Sequence, residues 1–211
     1  MAEKQKLGVL CSGRGTDLQS IIDAIGRKEV DAEIAIVLAD KSEAFALERA
    51  KKAGIKAVCV NRKAYEGREP FEEALIKELE EAGVTLVVLA GFMRILTPLF
   101  VKHFAGRIMN IHPALLPSFP GAHAHRDVLA YGVKVSGCTV HFVDEGTDSG
   151  PIIMQAAVPV LPGFSGRQPF LPLPGGRNGG AFVLFHRRNR GHRSCRAGRP
   201  ARHRHRRAVL L

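Results

Sequence analysis

The chain has 211 residues, with 31 Lys and Arg against 20 Asp and Glu, and its formal charge of +11 suggests a polyanionic partner. The distribution argues against that for most of the chain. Residues 162–211 hold twelve arginines, no lysine and no acid, which leaves 19 basic and 20 acidic groups over residues 1–161. An apolar content of 45% suffices for one well-buried domain, and no run approaches the ~20 apolar residues that span a bilayer. Residues 1–161 therefore read as one domain and residues 162–211 as an Arg/Gly/Pro-rich tail of different material.

Five short runs rich in Val, Ile and Leu predict strands at Lys6–Ser12, Ala32–Ala39, Lys56–Val60, Leu86–Ala90 and Arg107–Ile111. Between them, Leu18, Ile21, Ile22 and Ile25 recur at helical spacing, as do Phe71, Leu75, Leu79 and Ala82, and Gly83 stands where that second helix should stop. Near-continuous apolar strands separated by amphipathic helices predict an α/β, Rossmann-like fold: a mostly parallel sheet with helices on both faces. The runs Val135–Val143 and Pro151–Val160 leave no room for a helix between them, so a hairpin-like extension is expected there. Cysteines 11, 59, 138 and 195 show no CxxC spacing and read as small hydrophobes in a reduced, cytoplasmic compartment.

In such sheets ligands bind beyond the carboxyl ends of the strands. The first strand runs into Cys11-Ser12-Gly13-Arg14-Gly15-Thr16-Asp17, and the helix begins at once. Glycines there free backbone N–H groups at a helix N-terminus, where the dipole favours an anion, so the loop is a candidate phosphate site. It is neither a full GxGxxG nor a Walker loop, and NAD and ATP are poorly supported. A second stretch, Met109-Asn110-Ile111-His112-Pro113-Ala114-Leu115-Leu116-Pro117-Ser118-Phe119-Pro120-Gly121, places Asn110 and His112 two apart, on one side of an extended backbone. An amide donor beside an imidazole suits a reaction in which a carbonyl oxygen gains negative charge while a proton moves. Three prolines and Gly121 would hold the loop rigid. A carboxylate from Asp144-Glu145-Gly146-Thr147-Asp148-Ser149-Gly150-Pro151 could orient His112 and favour its protonated form.

Together with Leu89-Ala90-Gly91-Phe92-Met93-Arg94-Ile95-Leu96, Val140-His141-Phe142-Val143 and Asp148-Ser149-Gly150-Pro151-Ile152, these motifs span residues 6–160 and resemble the phosphoribosylglycinamide formyltransferases. The resemblance implies transfer of a formyl group from 10-formyltetrahydrofolate to the amino group of glycinamide ribonucleotide, in purine biosynthesis, without a metal. It implies that Gly15, Thr16 and Asp17 hold the phosphoribosyl part through backbone N–H groups. Met93, Arg94, Ile95 and Leu96 would receive the folate, with Arg68 pairing with a carboxylate of its glutamyl tail. Asn110 would donate to the oxyanion, His112 would deliver a proton, and Asp148 would raise the His112 pKa and organise water.

His123 and His125 invite a metal reading with His112 and His141, but zinc sites usually combine histidines with Cys or carboxylates at closer spacing, and none is expected. Two relatives share this chemistry. Formyltetrahydrofolate deformylase gives the formyl group to water and carries an N-terminal regulatory domain, whereas the first strand here begins near Lys6. Methionyl-tRNA formyltransferase is longer at its C-terminus. The tail from Pro162 reads as an arginine-rich polyanion arm, a disordered appendage, or translation in a wrong reading frame of GC-rich DNA, of which the last fits its abrupt onset best. The rival from another class is a non-catalytic polyanion-binding protein on a decayed transformylase. The expected partners are small molecules, with no membrane and with nucleic acid only through the tail; the sequence carries no signal for oligomeric state.

Overall fold

The computed structural model describes residues 4–160. Seven strands form one sheet: β1 (Gln5–Cys11), β2 (Ala32–Ala39), β3 (Ala57–Cys59), β4 (Leu86–Leu89), β5 (Ile108–His112), β6 (Val135–Phe142) and β7 (Ile152–Pro159), in the order β3-β2-β1-β4-β5-β6-β7. Strands β1 to β5 are parallel, while β6 runs antiparallel to β5, and β7 to β6. The apolar runs thus lie within a residue or two of the strands they predict, and the two late runs form the expected antiparallel extension.

Among the described residues there are five helices: α1 (Thr16–Gly26), α2 (Phe45–Lys52), α3 (Glu69–Glu81), α4 (Pro98–His103) and α5 (Ala124–Tyr131), with a 3₁₀ turn at Arg62–Ala64. The pleat of β1 sorts its side chains between two cores. Leu7, Val9 and Cys11 pack with Leu18 and Ile21 of α1 and Ala46 and Ala50 of α2. Leu10 points the other way, into a cluster with Phe71, Leu75 and Leu79 of α3 and Phe100 of α4. Both faces of the sheet are therefore covered at β1, and burying each such Leu or Phe contributes ~1.5–3 kcal/mol. Gly83 follows α3 at φ 65°, the left-handed conformation that ends a helix without a Cβ penalty. Among the described residues no helix is long and apolar enough to cross a membrane.

The order β2-β1-β4 marks the place where the chain reverses direction across the sheet, so the loops after β1 and β4 diverge there and leave a crevice. Leu10, Leu89 and Asn110 lie on one rung across β1, β4 and β5. With strands ~4.8 Å apart, the ends of β1 and β5 stand about 10 Å from each other along the rim of the sheet.

Candidate active site

Gly15 caps α1 in the left-handed conformation, at φ 67° and ψ 34°, and no side chain caps that helix end. A Cβ on Gly15 would come within 2.8 Å of the Ala46 backbone, so only glycine lets the loop lie this close to α2. Arg49 of α2 secures the loop, its Nε–H donating to Arg14 O at 2.9 Å and its Nη1 to Gln19 Oε1 at 3.0 Å. The uncapped N–H groups of the first turn suit an anion. Asp17, in that turn, works against one: burial pushes its carboxyl above the ordinary value, and its charge repels a phosphate. Any favourable contact from Asp17 must come from its backbone. Burial, with Asp17 and Asp40 adding to it, also drives the Cys11 thiol up to about 12, so the thiol stays protonated at neutral pH.

The loop after β4 is tied to the loop after β1. Ser12 N–H donates to Gly91 O at 3.1 Å, and Met93 N–H donates to Ser12 Oγ at 2.9 Å. Met93 and Ile95 stand 68% and 72% exposed, which is unusual for large apolar side chains and leaves a ready apolar surface for a flat ligand. Arg94 is turned toward the protein, its Nε–H on Asp40 Oδ2 at 2.7 Å. Arg68, at the N-cap of α3, donates from Nη2 to Ile95 O at 3.0 Å, leaving its remaining donors for an anionic group.

At the end of β5 the structure brings Asn110, His112 and Asp148 together with a fourth residue, His141. Antiparallel pairing sets Asn110 opposite His141. His112 is 3% exposed; its Nδ1 lies 3.3 Å from Asp148 Oδ2, and its Nε2 lies 2.7 Å from Phe119 O. Phe119 O accepts only, so Nε2–H is the donor there, and Nδ1 faces the Asp148 carboxylate at ion-pair distance. His141 Nδ1 meets Phe142 O at 2.9 Å, which makes Nδ1 the donor, and the neutral ring then accepts Asn110 Nδ2–H at Nε2, 3.2 Å away. That bond fixes the amide and leaves its second N–H directed elsewhere. Protonation of His141 would turn Nε2 into a donor toward Asp148 Oδ1, 3.6 Å away.

Asp148 is pulled below the ordinary carboxylate value, first by His141 when its ring is protonated and Nε2–H turns to the carboxylate, then by the Gly121 N–H and the nearby His112, against an opposing effect of burial. It is a carboxylate at neutral pH. Asp148 and Phe119 both hold positive φ, 53° and 57°. This conformation is uncommon for non-glycine residues, and here each places an oxygen near His112.

The long loop after His112 is fixed from the antiparallel strands. Thr139 Oγ1 donates to Ala114 O at 2.7 Å and accepts from Leu116 N–H at 3.0 Å, and Gln155 Nε2 donates to Leu116 O at 2.8 Å. His123 and His125 lie at the start of α5. Burial, and then His112, lower the His125 pKa. Among the described residues no group of three or more His, Cys, Asp and Glu is placed to hold a metal ion.

A family model described as formyl transferase matches residues 5–168. The chain belongs to that family. The phosphoribosylglycinamide formyltransferase of Escherichia coli is 48% identical over 157 residues, 74% of each chain. The trifunctional purine biosynthetic protein adenosine-3 of Homo sapiens is 47% identical over 161 residues, 76% of this chain and 16% of that protein. The namesake from Drosophila pseudoobscura pseudoobscura is 49% identical, and the chain spans only 12% of its length. The crystal structure of glycinamide ribonucleotide transformylase 1 from Symbiobacterium toebii superposes with a TM-score of 0.77 at 47% identity, covering 79% of both chains. These similarities identify a formyltransferase scaffold, and that family implies a folate-derived formyl donor.

Proposed function

We propose that this chain transfers the formyl group of 10-formyltetrahydrofolate to the amino group of glycinamide ribonucleotide. The observation that carries the reading is the cluster of Asn110, His112 and Asp148 at one end of a rim whose other end, about 10 Å away, is an uncapped helix N-terminus. A substrate with a phosphate at one end and an amine at the other matches such a rim. Gly15, Thr16 and Asp17 hold the phosphate through their backbone, and Met93, Ile95 and Leu96 receive the folate ring system. Arg68 meets a carboxylate of the glutamyl tail, while the Arg94 side chain acts indirectly by fixing the loop to Asp40.

In the reaction the amine attacks the formyl carbon, a C–N bond forms, and the carbonyl electrons move onto oxygen. Asn110 donates to that oxyanion from the N–H that His141 leaves free. Collapse restores the carbonyl and breaks the bond to folate N10, which takes up a proton as the amine gives one up. Protonated His112 supplies that proton, the proton given up by the amine returns through water to His112, and Asp148 compensates the imidazolium charge; the substrate oxygen takes the place of Phe119 O at Nε2. Incubation of the full chain with both substrates tests this. The expected result is one formylated nucleotide per tetrahydrofolate; release of formate with the nucleotide unchanged would instead assign the deformylase reaction.

A further inference from the structure

The loop from Gly91 to Thr97 carries the exposed apolar residues of the donor side, and side chains from three elements hold it. Ser12 takes its start, Asp40 takes Arg94, and α3 takes its end at two places. Arg68 and Glu72 stand one turn apart on α3, Arg68 on Ile95 O and Glu72 on Thr97. Glu72 is 2% exposed and Thr97 7% exposed. Thr97 N–H donates to Glu72 Oε1 at 2.9 Å, and the Thr97 hydroxyl donates to Glu72 Oε2. A carboxylate taken so far out of water is costly unless its oxygens are matched by donors, and Thr97 matches both. Helix stability does not account for the cost, because a leucine at this point of the stripe of Ile76 and Leu79 would bury more apolar surface. What the carboxylate does instead is fix the exit of the loop two residues after Ile95 and one after Leu96.

We infer that Glu72 is a positioning residue for the formyl donor: by gripping Thr97 at both its N–H and its hydroxyl, it holds Ile95 and Leu96 in the geometry that receives the folate. The inference rests on the folate reading of this loop. Loops with several soft torsions lose ordering entropy when they bind, and one pre-set by buried hydrogen bonds loses less, so the effect falls on donor affinity. The phosphate end of the rim meets this loop at its start, where Ser12 holds Gly91 and Met93, whereas the clamp acts at its exit, on Thr97.

The test is calorimetric titration of the full chain with tetrahydrofolate and, separately, with glycinamide ribonucleotide. Thr97→Val keeps the shape and the N–H and removes the hydroxyl; Thr97→Ser restores the hydroxyl. The expected outcome for Thr97→Val is tetrahydrofolate binding weakened about tenfold, the equivalent of one buried hydrogen bond, with the nucleotide within about twofold of the parent. Thr97→Ser should bind both ligands as the parent does. Glu72→Leu, which removes both acceptors and matches the surrounding apolar stripe, provides a second variant and should weaken the folate selectively. Equal weakening of both ligands, or unchanged folate binding in Thr97→Val, would overturn the inference. A parent chain that binds the nucleotide and no tetrahydrofolate would remove the folate reading of the loop, and the clamp's role with it.

Discussion

The two halves of the sheet contribute to the site in different ways. The parallel half, β1 to β5, offers loops at strand ends: an uncapped helix N-terminus at Gly15 and an apolar shelf at Met93 and Ile95, both suited to holding a ligand. The antiparallel half, β5 to β7, supplies partners for the reacting groups. His141 orients Asn110 from across the ladder, Thr139 and Gln155 fix the loop that carries Phe119, and Asp148 comes from the turn between β6 and β7. Parallel strands bring chain segments to one edge, whereas antiparallel strands bring side chains opposite each other within ~5 Å. Binding is thus expected to depend on the first half and turnover on the second.

The strongest challenge to that division is Asn110→Ala. Removal of one oxyanion donor typically costs ~10²–10³ in rate, and kcat should fall by at least that much while both KM values stay within a few-fold. Steady-state kinetics on the folded variant decides it, and a loss of tenfold or less would contradict the assignment. Gly15→Ala makes the converse perturbation. The new Cβ meets the Ala46 backbone and sits in a left-handed conformation that costs ~1–2 kcal/mol, so the nucleotide KM should rise about tenfold with little change in kcat.

Asp17→Asn should act in the opposite direction. The amide removes a like charge from beside the phosphate, and nucleotide affinity should rise on the order of fivefold, as ~1 kcal/mol between close charges in a water-like medium implies. The same variant has a pH signature. Burial raises the Asp17 pKa in the folded state, so its carboxylate lowers stability above that pKa, and the penalty vanishes below the unfolded value of 3.8. Denaturant titrations should show Asp17→Asn more stable than the parent at neutral pH, with the gain fading as pH falls toward 3.8.

Much of the parallel half is legible in the sequence because buried parallel strands are continuous apolar runs, and Leu18, Ile21, Leu75 and Leu79 mark two helices by period. The other three helices escape that signal. On its buried face α2 carries Ala46, Leu47 and Ala50, α4 is six residues opening on Pro98, and α5 offers only Ala124 and Val128, so none shows a long apolar stripe. Asn110, His112 and Asp148 were legible as types of chemistry, but their meeting depends on how the β5–β6 ladder registers, which spacing does not encode. The role of His141 is invisible for the same reason, although its imidazole on the apolar strand Val135–Phe142 was a visible anomaly. Glu72 left a similar trace, an acid inside the apolar stripe of α3. The arginine-rich tail lies outside the described residues, and its proposed origin in a shifted reading frame is a question for the nucleotide sequence near codon 162.

The division between a binding half and a reacting half is tested most directly by Asp148→Asn. This change keeps the size of the side chain and removes the negative charge that faces His112 and His141. Calorimetry of the full-length variant with glycinamide ribonucleotide and with tetrahydrofolate should give dissociation constants within about threefold of the parent. Single-turnover formyl transfer at saturating substrates should be slower by at least ~10²-fold. Binding lost in step with turnover, or turnover retained within about tenfold, would contradict the account.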